Sequence, residues 1–319
     1  MDALSDVLRA TQLSGGVFLQ AEFTAPWCVT VNVTTEFCAP FLGPATHLIP
    51  YHYVVEGELH TVVEGSSRRR LGSGELVLFP RNDGHVLGSD PSLPPVRAAD
   101  IIVPSSRGEL ASIHHGGGGT ATRMICGFLG CDSVQGNPLV ETLPAVMILK
   151  VEEAGPAEWI RSTFQYAAQQ VASGLPGSTM VLAKLSELLF VEAVRRYVED
   201  LPADQAGWLA GLRDPVVART LALLHGNIAR AWSVEELGRQ AGMSRSALAD
   251  RFTRLIGMAP MHYLAHWRMQ TAAQKLRGSN ASLAQVAELA GYDSEAAFSR
   301  AFKKAFGSAP ATWRRAARG

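Results

Sequence analysis

Charge is scarce in this 319-residue sequence: 18% of residues are Asp, Glu, Lys or Arg, and 29 of each sign cancel to zero. Cysteine is scarcer, with four residues, Cys28, Cys38, Cys126 and Cys131. Four thiols in so long a chain do not make a disulfide-stapled scaffold, and they read as free thiols of a reducing cytoplasm. No apolar run approaches the roughly 20 residues that span a bilayer, so no membrane partner is expected. The opening MDALSDVLRATQLSGG carries two Asp on an amphipathic pattern and lacks the basic-then-apolar order of a secretory signal. Neither a G-x-S-x-G elbow nor an H-E-x-x-H helix occurs, which removes two common hydrolase frameworks. What is present is a chain 47% hydrophobic, incompatible with disorder or a fibrous repeat. Its length suits about two domains with cores of ordinary size.

The zero total is a cancellation. Residues 1–205 hold 13 Lys+Arg against 22 Asp+Glu, a balance of −9, while residues 206–319 hold 16 against 7, a balance of +9. Such an asymmetry points to a basic nucleic-acid module joined to something else.

Residues 15 to 130 read as β structure, with short segments such as VFLQAEF, CVTVNV, YHYVVEG, LHTVVEG and ELVLFP separated by Gly, Pro, Asn and Asp. A sandwich or small barrel is the expected outcome. HHGGGG at 114–119 reads as a flexible hairpin tip or loop, since no Lys and helix follow it as a phosphate loop requires. After Gly155-Pro156 the period becomes helical, with Trp159, Ile160, Thr163, Phe164, Ala167, Ala168 and Val171 at three/four spacing. A second helix, 179–198, is apolar along Leu182, Leu185, Leu188/Leu189 and Val191. These helices can cover their own sheet or pair with a second copy of the chain. The segment 201–214 is the linker candidate by its Pro, Gly and acidic content. The expected division is therefore 1–150, a helical extension 151–200, a linker 201–214 and a helical domain 215–317.

That last domain contains a duplication. The segments beginning SVEELGRQAGMSRSALADRF at Ser233 and SLAQVAELAGYDSEAAFSRAF at Ser282 share one grammar. Each opens with a Ser and, three residues later, Glu236 or Gln285, the pattern of a capping box. Each reaches Ala-Gly, where glycine allows a tight turn between two helices. A second Ser cap follows, Ser244 or Ser294, and then a helix buried along Leu248/Phe252/Leu255 or Phe298/Phe302/Phe306. This is a helix–turn–helix at 233–256 and again at 282–306. The free faces of the second helices hold Arg245, Ser246, Ala249, Asp250 and Arg254 in one copy. In the other they hold Glu295, Ala296, Ser299, Arg300, Lys303 and Lys304. A helix entering a major groove needs such a face, polar and flanked by basic groups. Residues 261–277 between the units read as a helix able to hold them about one groove-turn apart, roughly 34 Å.

These runs resemble the DNA-binding module of the AraC/XylS family of transcription regulators, above all A-G-M-S-R-S-A-L in the first unit and G-Y-D-S-E-A-A-F-S-R-A-F-K-K in the second. The resemblance implies two groove-binding helices per chain, with Arg245, Ser246, Arg254, Ser294, Glu295, Ser299, Arg300 and Lys303 as DNA-contacting candidates. Asp250 departs from it, standing where the family often carries Arg. An acid there repels phosphate yet can accept from cytosine N4, so the second unit is expected to supply more phosphate affinity.

Residues 2–200 are similar to the cupin-type ligand-binding domain of an AraC subgroup, through Pro26-Trp27, YHYVVEGEL, LGSGELVLFPRNDGHV and CGFLGCD. The resemblance implies an α+β multidomain chain: a cupin-like β-barrel with a helical extension, followed by an all-α domain with two helix–turn–helix units. Gly74, Pro80 and His85 fit the second cupin motif; the first keeps only His47 and His52 near Pro50. The leading expectation is a pocket for a small organic effector, lined by Trp27, His52 and His85. Two alternatives stand beside it: a zinc or other divalent metal site of His52, His85, Cys126 and Cys131, and a thiol redox sensor using Cys126 and Cys131, with Cys28 nearby. An enzyme is not expected, because the three-His-plus-acid set of catalytic cupins is missing. The reading is a cytoplasmic, homodimeric regulator whose partners are double-stranded promoter DNA, a small effector and RNA polymerase.

Overall fold

The computed structural model describes residues 2–11, 13–38, 45, 47–104, 110–131, 138–150, 162, 166, 177–202 and 205–316. It forms two compact units. The β unit is drawn from residues 13–132 and 143–197, the helical unit from 1–12, 133–142 and 198–319.

The described strands are β1 (Ser14–Thr24), β2 (Cys28–Val31), β3 (His47–Glu56), β4 (Glu58–Val63), β5 (Arg69–Gly72), β6 (Glu75–Leu78), β7 (His85–Gly88), β8 (Val96–Arg97), β9 (Ala111–Gly116), β10 (Ala121–Cys131) and β11 (Met147–Lys150). In chain order the helices are α1 (Ala3–Thr11), α2 (Thr35–Cys38), α3 (Pro138–Thr142), α4 (Ser178–Asp200), α5 (Trp208–Gly211), α6 (Pro215–Gly226), α7 (Val234–Ala241), α8 (Arg245–Ile256), α9 (Pro260–Gly278), α10 (Leu283–Leu289), α11 (Glu295–Phe306) and α12 (Pro310–Ala316).

The β unit has a six-stranded sheet, ordered β11-β6-β3-β10-β1-β9, and a five-stranded sheet, ordered β5-β4-β7-β2-β8. Pairing is antiparallel except between β1 and β9 and between β2 and β8. Among the described residues no ladder closes the two sheets into a barrel, so the cupin-like unit is an open two-sheet form of the expected barrel. Side-chain alternation decides what faces inward. Leu48 and Val54 of β3, Met124, Cys126 and Phe128 of β10, and Leu19, Ala21 and Phe23 of β1 join one core. Opposite parity sends Tyr51 outward, its hydroxyl donating to Gly16 O at 3.3 Å beside Ser186 of α4. Helix α4 therefore covers this sheet, and Glu187 accepts from the Gly15 amide at 2.9 Å. Its buried stripe is Leu182, Leu185, Leu189, Phe190, Ala193 and Val194, while Leu188 of the expected stripe is 46% exposed. The preceding helix expected from Trp159 to Val171 lies outside the described residues, apart from 162 and 166.

The helical unit corrects the expected boundaries. Helix α1 packs on α3 and α6, and α3 packs on α5, so residues 3–11 and 138–142 belong with the helical unit and not with the strands between them. The segment 201–214 is also no open linker. Trp208, Leu209 and Ala210 are buried, Gly207 N donates to Leu255 O at 2.7 Å, and Arg213 bonds to Leu201 O. Asp214 ends it as the N-cap of α6, accepting from Val216 N and Val217 N at 3.1 and 3.0 Å, with Pro215 at the first helical position. Its other oxygen takes two bonds from Arg251 of α8, at 2.8 and 2.6 Å. Apolar periodicity in so short a segment is too brief to betray burial.

Candidate nucleic-acid interface and effector cavity

The duplicated segments fold as two helix–turn–helix units, α7–α8 and α10–α11, joined by α9. Ser233, Ser244, Ser282 and Ser294 each cap a helix by accepting from the amide three residues on, at 3.1 to 3.3 Å. The capping box closes only in the second unit, where Gln285 returns to Ser282 N at 2.8 Å. In the first, Glu236 pairs with Arg230 instead. Leu248 and Phe252 bury α8, and Phe298 and Phe302 bury α11. Anchored there, each second helix turns its other face to solvent.

That face carries the expected residues. Arg245, Ser246, Asp250, Thr253 and Arg254 are exposed on α8; Ser294, Glu295, Ala296, Arg300, Lys303 and Lys304 are exposed at α11, and Ser299 is half-buried. Ser294 serves first as the cap, so its oxygen is committed to Ala297 N. Arg251, beside this set in sequence, points away from it to Asp214. Thr253 was not singled out from sequence, although one turn from Ala249 and Asp250 places it on the same stripe. Helix α9, 19 residues long, spans about 28 Å.

The β unit holds a cavity of about 280 Å³ between its sheets. Leu19, Ala21, Phe23, Val29, Val33, Leu87, Ile113 and Met124 make it apolar, and His52, Cys126, Thr30, Asn32 and Arg97 supply its polar lining. His52 Nε2 lies 2.8 Å from His85 Nε2, and His85 Nδ1 lies 3.0 Å from Asp83 O. His85 stacks on Phe79 with centroids 3.6 Å apart. Burial drives both imidazoles toward the neutral form, His85 down to about 4 and His52 well below its usual range, with the neighbouring His85 adding to the second shift. His52 Nδ1 is buried with no partner.

Over residues 2–199 the chain matches the cupin family, and over 237–316 a helix-turn-helix domain. An AraC-like transcription regulator of Streptomyces lividans is 32% identical, covering 99% of this chain and 98% of its own. The chain belongs to the AraC-like transcription regulators. The transcriptional regulator AlkR of Acinetobacter baylyi is 28% identical over 98% of this chain and 99% of its own. The DNA-bound domain of AdpA, solved in complex with a target DNA, is 34% identical over 33% of this chain and 94% of its own, with a TM-score of 0.32. As a member of that family this regulator is a DNA-binding protein and not an enzyme, with a cupin domain ahead of its helix-turn-helix domain.

Three expectations about the regulator's cupin domain are corrected by its geometry. Of the three expected lining residues only His52 lines the cavity: Trp27 is buried against Phe23, the rings stacked at 4.1 Å, and His85 bonds to His52 instead. The four-residue zinc set is not assembled. Cys126 faces the core and Cys131, five residues along the same strand, faces the opposite way, about 17 Å distant by strand rise. The two imidazoles bond to one another, and no cluster of three or more His, Cys, Asp or Glu suited to a metal occurs among the described residues. The same parity separates the redox pair. Burial also pushes the Cys126 thiol upward and that of Cys28 with it, disfavouring the reactive thiolate.

Proposed function

We propose that this regulator couples a small molecule in the β-unit cavity to promoter recognition by α8 and α11. The observation that carries the reading is the presence of a largely apolar cavity in one unit and of two solvent-facing second helices rich in Arg, Lys and Ser in the other. Arg245, Ser246 and Arg254 would read one groove segment, and Ser294, Glu295, Ser299, Arg300 and Lys303 the next. The protein acts as a cytoplasmic homodimer, for which exposed Met180, Val181 and Leu188 on α4 offer an apolar surface, and it works at promoters with RNA polymerase. Effector binding shifts an equilibrium between arrangements that differ in DNA affinity. Mapping bound sites across the genome tests the reading: recovery of one shared sequence upstream of genes supports it, and binding without sequence preference overturns it. Sedimentation of the Leu188→Glu variant tests the dimer surface, which is excluded if the oligomeric state does not change.

A further inference from the structure

We infer that the cavity selects uncharged, mainly apolar molecules that present a hydrogen-bond donor, such as a hydroxyl, to Nδ1 of His52. The inference rests on the effector reading above and deepens it by fixing the chemistry of the ligand's polar end.

A backbone carbonyl can only accept, so His85 Nδ1, 3.0 Å from Asp83 O, carries a hydrogen. In the neutral ring the other nitrogen is then a lone pair. His52 Nε2, 2.8 Å from that lone pair, must donate to it. This leaves His52 Nδ1 as a buried, bare acceptor without a protein partner, on a side chain only 4% exposed that belongs to a residue lining the cavity. The backbone of Asp83 thus sets the polarity of an atom two imidazoles away. Stacking of His85 on Phe79 and the edge-on contact of His52 with the same ring, centroids 5.9 Å apart, hold both rings in this arrangement.

An unpaired buried acceptor is unfavourable, and a ligand donor removes that penalty. An ether or a hydrocarbon leaves it standing. A carboxylate offers only acceptors and meets the lone pair with its own. The cation among the lining residues, Arg97, is held by Asp100 through two bonds of 2.8 Å and is largely in solvent. No Asp or Glu lines the cavity among the described residues, so a cationic ligand finds no counter-charge. Leu19, Phe23, Val29, Ile113 and Met124 take the apolar remainder.

Calorimetric titration of the full chain with 1-octanol, octyl methyl ether and sodium octanoate tests this. The alcohol is expected to bind at least about tenfold more tightly than the other two. In His85→Phe the ring stacking on Phe79 is kept but the lone pair that pins the His52 proton is lost, so the alcohol-to-ether gap should collapse to below about threefold. Nitrogen-15 spectra of histidine-labelled wild type give a reading independent of any variant. They should show His52 as the neutral Nε2–H form. Equal binding of ether and alcohol, or His52 protonated on Nδ1, overturns the donor rule and leaves effector sensing intact. Binding of none of the three probes overturns the cavity as an effector site, and the inference with it.

Discussion

Arg300 lies exposed midway along α11, one turn beyond Ala296 and one turn before Lys304. A guanidinium so placed is suited to the bidentate contact with guanine O6 and N7, whereas the neighbouring lysines suit phosphate. Arg300→Ala is expected to weaken specific binding by about 1–3 kcal/mol and to relax preference at one base pair. Lys303→Ala should weaken all sequences alike and reduce the salt slope by about one. Binding titrations at several salt concentrations distinguish the two, and unchanged affinity, slope and preference would remove Arg300 from the interface. A second residue matters for stability. His225 Nε2 sits 2.7 Å from the Tyr263 hydroxyl, which also accepts from Trp208 Nε1 at 2.8 Å, and its ring stacks on Trp267. Burial pushes His225 from 6.5 down to about 3. Below 6.5 the unfolded chain takes up a proton that the native state refuses until about pH 3. Stability from the neutral ring is therefore complete above pH 6.5 and lost as the pH falls toward 3. Urea midpoints followed by helical circular dichroism should drop between pH 7 and 4.5, and His225→Phe should flatten part of that drop. An equally steep drop in the variant would assign the acid sensitivity to other groups, His85 first among them.

At the scale of elements, the two helix–turn–helix units form an internal control. Gly242 and Gly291 both adopt left-handed backbone, at φ of 75° and 71°, but a side chain at Gly242 would meet nothing within 4 Å. At Gly291 it would lie 2.6 Å from Ala229 O and 2.7 Å from Arg268 Nη2. Arg268 is itself fixed on Ile228 O and Arg230 O, at 2.8 and 2.9 Å. Gly242→Ala should then cost about 1 kcal/mol, the conformational strain alone, and Gly291→Ala measurably more. Thermal unfolding of the two variants decides it; equal losses would mean that both Arg268 and the Ala229 backbone yield and only the strain of the left-handed conformation remains. The same comparison explains what was readable in sequence. The caps, turns and buried Phe stripe of the second unit are set by residues three or four apart, and a local pattern predicts a local bond. Glu236 escaped because its partner, Arg230, lies upstream of the motif. Trp208 escaped because its burial depends on Tyr263, 55 residues away. In the β unit, alternation was visible within each strand, but which parity faces the cavity depends on pairing. His52 opposite Cys126 in β10 and Val77 in β6 is a fact of register that no single strand contains. Trp27 was misplaced for that reason, and the His52–His85 bond was missed for the same one.

The whole molecule raises the question of how a cavity in one unit informs helices in the other, and chain connectivity offers an answer. Strands β1 and β10 line the cavity through Leu19, Ala21, Phe23, Met124 and Cys126. Yet β1 begins at Ser14, just after α1 ends at Thr11, and β10 ends at Cys131, shortly before α3 begins at Pro138. Both helices belong to the helical unit, where α1 packs on α6 and α6 packs on α7 and α8 of the first helix–turn–helix. A ligand that favours one position of β1 is expected to act, through the two residues of chain between Thr11 and Ser14, on a helix two contacts removed from α8. Any such coupling is reciprocal: the factor by which ligand changes DNA affinity is the factor by which DNA changes ligand affinity. Val7 is fully buried in α1, and Val7→Asp places a charge where no water reaches, which should unseat α1. The variant should still bind DNA through α8 and α11, while the ratio of 1-octanol affinities with and without operator DNA should fall toward one. Titration in wild type and variant decides it, for a ratio left unchanged by Val7→Asp would exclude α1 as the link and leave the other chain crossings, on either side of α3 and within α4 at residues 197–198, as the remaining covalent routes.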